Sequence, residues 1–177
     1  KISVPPTLLM TAIARVGSVG SARTSDFKCP GDFIYLLGHG ASEGALGLRG
    51  TEIEAWFREQ GREIVVADAT TPILPGLPNW AVAKRVFAWI GGLEGARAAR
   101  VASLHDVSDG GLMVAIAEGL LARDFGATIS LFGDEWVTGF GEGFHSFVLS
   151  CPAESAQDLE AEWRAEKIPY AKLGKVN

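Results

Sequence analysis

The sequence predicts an α/β fold, a mixed β-sheet flanked by helices. Two observations carry this. Short, mainly apolar runs such as Phe33–Leu37, Arg100–Leu104 and Phe147–Ser150 have the length of strands buried on both faces. Longer stretches with apolar residues at helical spacing lie between them, and interleaved strands and helices pack as a sheet covered by helices. A chain of 177 residues with 47% hydrophobic content can bury one good core, so residues 1–177 are expected to be a single domain.

Taken in order, Val4-Pro5-Pro6 sets an extended start, and the apolar run from Leu8 to Val16 is expected to be a buried strand broken by Gly17 and Gly20. Asp26 to Asp32 closes on a Pro-Gly turn, after which Phe33–Leu37 is the next strand. Gly38 to Gly50 is dense in glycine. A phosphate cradle is one reading and an ordinary loop the other, since GxxxxGK[ST] is absent, and His39 is expected to face solvent, with a ligand-facing ring as the alternative. Glu52 to Gln60 carries Ile53, Trp56 and Phe57 at helical spacing and ends at Gly61. Ile64 to Ala67 is a strand candidate, and Asp68 to Pro78, with prolines at 72, 75 and 78, is a surface loop. Asn79 caps a helix from Trp80 to Ile90, with Val82, Val86 and Trp89 or Ala83, Phe87 and Ile90 turned inward; Gly91-Gly92 stops it.

The most informative stretch is Ser103 to Leu112. Arg100 to Leu104 reads as a strand, and Leu112, Ala115, Ile116, Gly119 and Leu120 as the inner stripe of a helix that ends near a Gly126 C-cap. The turn between them holds His105, Asp106, Ser108, Asp109, Gly110 and Gly111. Ser108 or Asp109 is expected to cap the helix, leaving the amides of Gly110 and Gly111 free at a positive helix end, where an anion binds well. Asp106 would repel a bare anion, so either a metal ion bridges the two or Asp106 points elsewhere. On spacing alone the turn is equally a capped helix whose glycines only permit a tight bend. Thr128–Phe132 alternates as a half-buried strand, Glu154 to Lys167 forms a charged helix with Leu159 and Trp163 inward, and Tyr170–Val176 is a terminal strand.

Sixteen basic against twenty-one acidic residues give a net charge of −5, without the basic cluster that a nucleic-acid surface needs. No run of eighteen apolar residues spans a membrane. Cys29 and Cys151 stand apart without metal-ligand spacing and read as reduced thiols of a cytoplasmic protein. The chain starts at Lys1 with neither Met nor a signal-peptide pattern, as expected of a processed product or a fragment.

His105-Asp106-Val107-Ser108-Asp109-Gly110-Gly111-Leu112, followed by Ala115, Ala117 and Glu118, resembles the HDxSDGGL signature of the phosphoribosylformylglycinamidine synthases. These belong with aminoimidazole ribonucleotide synthetase, selenophosphate synthetase and thiamine monophosphate kinase in one ATP-dependent superfamily. Pro5-Pro6-Thr7-Leu8 and Lys28-Cys29-Pro30-Gly31-Asp32 resemble the opening of the C-terminal half of such a synthetase module. Phe140 to Leu149 is similar to its FxES…R(F)VVxV segment, with Gly143 in place of the Ser and no Arg following, and Tyr170–Val176 is similar to its ARIGxV strand. Leu46-Gly47-Leu48-Arg49-Gly50 departs from the family's Leu-Gly-Gly-Ser.

The resemblance implies an aminoimidazole ribonucleotide synthetase C-terminal-domain-like fold and a fragment whose nucleotide-binding half lies upstream. It implies that His105, Ser108, Asp109, Gly110 and Gly111 face a phosphorylated small-molecule substrate, and that Asp106 is a possible magnesium ligand. It implies ATP and Mg2+ as cofactors of the full-length enzyme, none held tightly by this chain alone. The implied partners are the upstream half, a glutaminase domain or subunit, and a second copy in a weak homo-oligomer or dimer. The isolated chain is then catalytically silent. The alternatives are a domain of another superfamily member, such as selenophosphate synthetase or thiamine monophosphate kinase, or a non-catalytic structural or binding module.

Overall fold

The structure is a computed structural model and describes residues 10–13, 15, 17–39, 48, 50–62 and 78–177. Its strands are β1 (Phe33–Leu37), β2 (Ser103–Asp106), β3 (Ala127–Ile129), β4 (Phe147–Cys151) and β5 (Tyr170–Val176). The helices are α1 (Glu52–Glu59), α2 (Trp80–Gly91), α3 (Gly95–Ala99), α4 (Gly111–Leu121), α5 (Glu135–Phe140) and α6 (Ala156–Ala165). The α/β class and the flanking helices are as expected. The described strands form one sheet in the order β2-β4-β1-β5-β3, and its four pairings are all antiparallel. The reason lies in the chain path. β1, β2 and β3 run in one direction, and the last two strands insert between them in the other, so no two parallel strands touch.

Both faces of the sheet are covered, which is why β1 and β4 read as unbroken apolar runs. On one face Tyr35, Leu37 and Leu149 meet Val82, Val86 and Trp89 of α2 and Leu159 and Trp163 of α6. The Trp163 ring sits edge-on to Tyr35 at 5.2 Å and to Trp89 at 5.6 Å. On the other face Ile34, Leu36 and Val148 meet Leu112, Ala115 and Ile116 of α4. Asn79 caps α2 as expected, its Oδ1 accepting from the Val82 amide at 3.2 Å. The inward face of α2 is Val82, Ala83, Val86 and Trp89, while Phe87 is exposed.

Three expectations are corrected. Within the run from Leu8 to Val16, the described residues form no strand, and Met10 and Ile13 are exposed. The outer edge of β2 is instead met by Thr24, whose carbonyl accepts from the Leu104 amide. Gly126 does not cap α4 in a left-handed conformation; the helix ends at Leu121 with Ala122 as its C-cap, and Gly126 exchanges two backbone hydrogen bonds with Asn177. The strand expected over Thr128–Phe132 covers Ala127–Ile129. Residues 1–9, most of the glycine-dense loop, the strand candidate Ile64–Ala67 and the proline-containing loop up to Leu77 lie outside the described residues.

Beneath α2 and α6, one carboxylate gathers several donors. Glu162 Oε1 accepts from Trp89 Nε1–H at 2.9 Å and lies 2.7 Å from Arg97, while Oε2 accepts from Arg100 at 2.6 Å. This ties α2, α3 and α6 together at the rim of the core. Cys29 is exposed and Cys151 buried, both free, and burial pushes the Cys151 thiol up to about 12.

Candidate functional site

β2 delivers the signature residues to the edge of the sheet. His105 and Asp106 pair with Val148 and Phe147 of β4, and the Val107 amide continues the ladder to the Ser146 carbonyl. Val107 turns into the core beside Leu112. Between these anchors, Asp106, Ser108 and Asp109 are left exposed on one short turn. Asp106 Oδ1 lies 3.3 Å from His105 Nδ1, and Glu118 Oε2 of α4 lies 3.0 Å from His105 Nε2, so the imidazole stands between two carboxylates.

The helix start differs from the expected one. Neither Ser108 nor Asp109 caps α4; its N-cap is Gly110, in the left-handed region at φ +83°, without a side-chain cap of its own. The Gly111 amide donates to the Ser108 carbonyl at 3.0 Å, closing the turn. The Gly110 amide donates to Glu142 Oε1 at 2.9 Å, and the same oxygen accepts from the Glu52 amide at the start of α1 at 2.7 Å. The two amides expected to be free for an anion therefore already have acceptors. A carboxylate belongs electrostatically at two converging helix N-termini.

Gly111 also has a packing role. It is buried at φ +76°, and a β-carbon there would lie 2.8 and 2.9 Å from the Phe140 backbone. Its bareness lets α4 close against α5, rather than clearing a path for a ligand.

His39 is buried rather than solvent-facing. It stacks on Phe132 at 6.4 Å and lines a small cavity with Val107, Leu112, Thr138 and Ser146, directly behind the signature turn. Burial first, and His145 second, hold its imidazole below the ordinary histidine range. The folded state then takes up a proton less readily than the unfolded chain. His39 contributes no penalty above the ordinary histidine value, and stability is lost as pH falls through and below it. Chemical unfolding from pH 7.5 to about pH 5.5 should show a slope of at most about 1.4 kcal/mol per pH unit from this group. His39→Gln should flatten that slope; an unchanged slope would assign the acid sensitivity elsewhere.

Sequence reasoning missed Glu142 as a site residue. Its one signal was the Phe140–Ser146 segment, where the family-like glutamate is retained beside the substituted Gly143. Among the described residues, no three His, Cys, Asp or Glu side chains converge as a metal site.

Residues 89–177, which include β2, the signature turn and α4, match the family described as AIR synthase related protein, C-terminal domain. The chain belongs to this family. β1, which pairs with both β4 and β5 in the same sheet, lies before the matched residues. Over 176 residues the chain is 31% identical to phosphoribosylformylglycinamidine synthase subunit PurL of Methylocella silvestris, covering 98% of this chain and 22% of that protein. It is 29% identical to PurL of Azorhizobium caulinodans, over 97% of this chain and 22% of that one. The fold matches Thermotoga maritima PurL complexed with FGAR at a TM-score of 0.66 and 19% identity, covering 89% of this chain and 26% of that chain. The same PurL complexed with ATP matches at 0.60 and 17% identity, over 89% of this chain and 23% of that one. The chain therefore spans about a quarter of the length of these relatives.

Proposed function

We propose that this chain is the substrate- and phosphate-facing C-terminal domain of an ATP- and glutamine-dependent phosphoribosylformylglycinamidine synthase of purine biosynthesis, one domain of a longer enzyme. The observation that supports this best is the signature turn itself. His105, Asp106, Ser108 and Asp109 stand together at the edge of the sheet, supported from behind by Val107, Gly111 and Leu112.

The geometry bears on how such a turn would meet a phosphorylated substrate. Asp106, Asp109, Glu118 and Glu142 make the surroundings acidic, which disfavours a bare phosphate and favours one accompanied by a cation. Asp106 is exposed and its carboxylate is suited to one ligand position of a magnesium ion, which would take its others from phosphate oxygens and water. Bound there, the ion would neutralise charge between phosphate and turn. Ser108 would donate its hydroxyl to a phosphate oxygen, and His105, steadied by Glu118, would supply the ring nitrogens beside it. Gly110 and Gly111 would shape the turn rather than donate to the ligand.

In this reading ATP, the upstream nucleotide-binding half and the glutaminase come from outside the 177 residues. The Thermotoga maritima relative has been solved both with ATP and as PurLQS, which supports a nucleotide and partner subunits in the whole enzyme. Exposed Trp80 and Phe87 on α2 are candidates for weak self-association. No helix among the described residues is long and apolar enough to cross a membrane.

Phosphoryl transfer requires metals and donors arranged around the transferring group, and in this reading the upstream half supplies them. The purified chain should therefore release no phosphate from ATP above background, with or without ammonia and formylglycinamide ribonucleotide. Turnover abolished by Asp106→Ala would contradict this and place the active site within the chain.

A further inference from the structure

We propose that Glu142 is the positioning residue of the site, latching α1 onto the signature turn so that the two change conformation together. The functional meaning of the latch rests on the reading above; its existence does not. α1 is an eight-residue helix with no buried residue. A helix of that length does not persist in water on its own. Its cap is sound: Thr51 Oγ1 accepts from the Glu54 amide, and Glu54 Oε2 accepts from the Gly50 amide at 2.6 Å. Two contacts among the described residues link the helix to the body. The Phe57 ring meets Trp136 of α5 edge-on at 6.3 Å, and the Glu52 amide donates to Glu142.

The Glu142 contact is unusual in that one oxygen atom serves two helices. Oε1 accepts from Glu52 at the start of α1 and from Gly110 at the start of α4. These are charge-assisted hydrogen bonds at two positive helix ends, and each helps to place the carboxylate for the other. Gly110 has no cap from its own turn, so Glu142, 32 residues downstream, supplies what Ser108 or Asp109 does not. Whatever alters the Gly110 amide must then alter the docking of α1, and the reverse.

The test uses the full 177-residue chain, nitrogen-15 labelled and without ligand. Glu142→Ala should lower hydrogen-exchange protection of both Gly110 and Glu52 about tenfold, the loss expected for a charge-assisted hydrogen bond. The amide of Leu149 in the central sheet should be unaffected. Glu142→Gln keeps an acceptor oxygen in the same place and should restore most of the protection at both amides. Phe57→Ala loosens α1 from its other end and should shift the Gly110 amide resonance, although the ring belongs to a different contact. A Glu142→Ala effect on only one of the two amides would overturn the latch, and so would a silent Gly110 in Phe57→Ala. Because no ligand is present, neither result depends on whether the turn binds a substrate. Failure of substrate binding, in turn, leaves the latch standing.

Discussion

Gly111→Ala should destabilise the domain by about 3 kcal/mol. A left-handed backbone costs an alanine roughly 1–2 kcal/mol, and forcing a methyl into a packed contact adds roughly 1–3 kcal/mol. Here the obstruction is main chain. The new β-carbon would stand 2.8 Å from the Phe140 carbonyl carbon and 3.0 Å from the Gly139 oxygen, and backbone gives way far less readily than a side-chain end. Relief would require α4 and α5 to separate, opening the core around Leu112. Gly126→Ala is the control, since the nearest atom to its β-carbon would be 4.0 Å away. Urea unfolding of the two variants decides the matter. A Gly111→Ala variant as stable as the Gly126 control would show that α4 and α5 are not in contact as described. The same geometry bears on Gly111→Val, which should unfold the domain rather than obstruct a ligand.

The second large effect is expected at Glu162. Its carboxylate accepts from Trp89 Nε1–H and pairs with Arg97 and Arg100, and its side chain is 16% exposed. Removing one partner of a fully buried ion pair costs about 3–5 kcal/mol, because the remaining charge is stranded. Arg97 and Arg100 keep 34% and 27% of their side-chain surface in water, which lowers the expected loss for Glu162→Ala to about 2–3 kcal/mol. Glu162→Gln retains an acceptor for the indole and should lose roughly half as much. Equal losses in the two variants would mean that charge is the whole of the contribution and the tryptophan hydrogen bond none of it.

Much of the sheet was legible because burial on both faces leaves a plain mark. β1 and β4 are continuous apolar runs, and β2 and β5 adjoin turns with strong punctuation. α2 was legible from Asn79 and the spacing of Val82, Val86 and Trp89. α3 and α5 were not, since five or six residues rich in glycine and alanine, or starting from a single Asp134 cap, show too few turns for a period. Strand direction was also hidden. It depends on β4 and β5 slotting between earlier strands, a long-range choice with no local pattern. The turn from His105 to Leu112 was readable as a candidate, but its internal wiring was not. Local rules offered Ser108 or Asp109 as the cap, whereas a carboxylate 32 residues downstream fills that place. His39 differs from expectation for a related reason: a glycine-dense neighbourhood suggests solvent, whereas the ring stacks on Phe132 and lines the cavity behind the turn.

The central claim is that the signature turn is the face this domain presents to a phosphorylated substrate. Titration of the labelled chain with formylglycinamide ribonucleotide and magnesium, followed by amide chemical shifts, tests it most directly. The turn is exposed and its surroundings acidic, so binding through one carboxylate-held cation and a serine hydroxyl should be weak in the isolated chain, roughly millimolar. The account predicts saturable shifts centred on His105 to Leu112 that are lost in Asp106→Ala. Shifts that leave residues 105–112 unmoved while another part of the surface responds would contradict it.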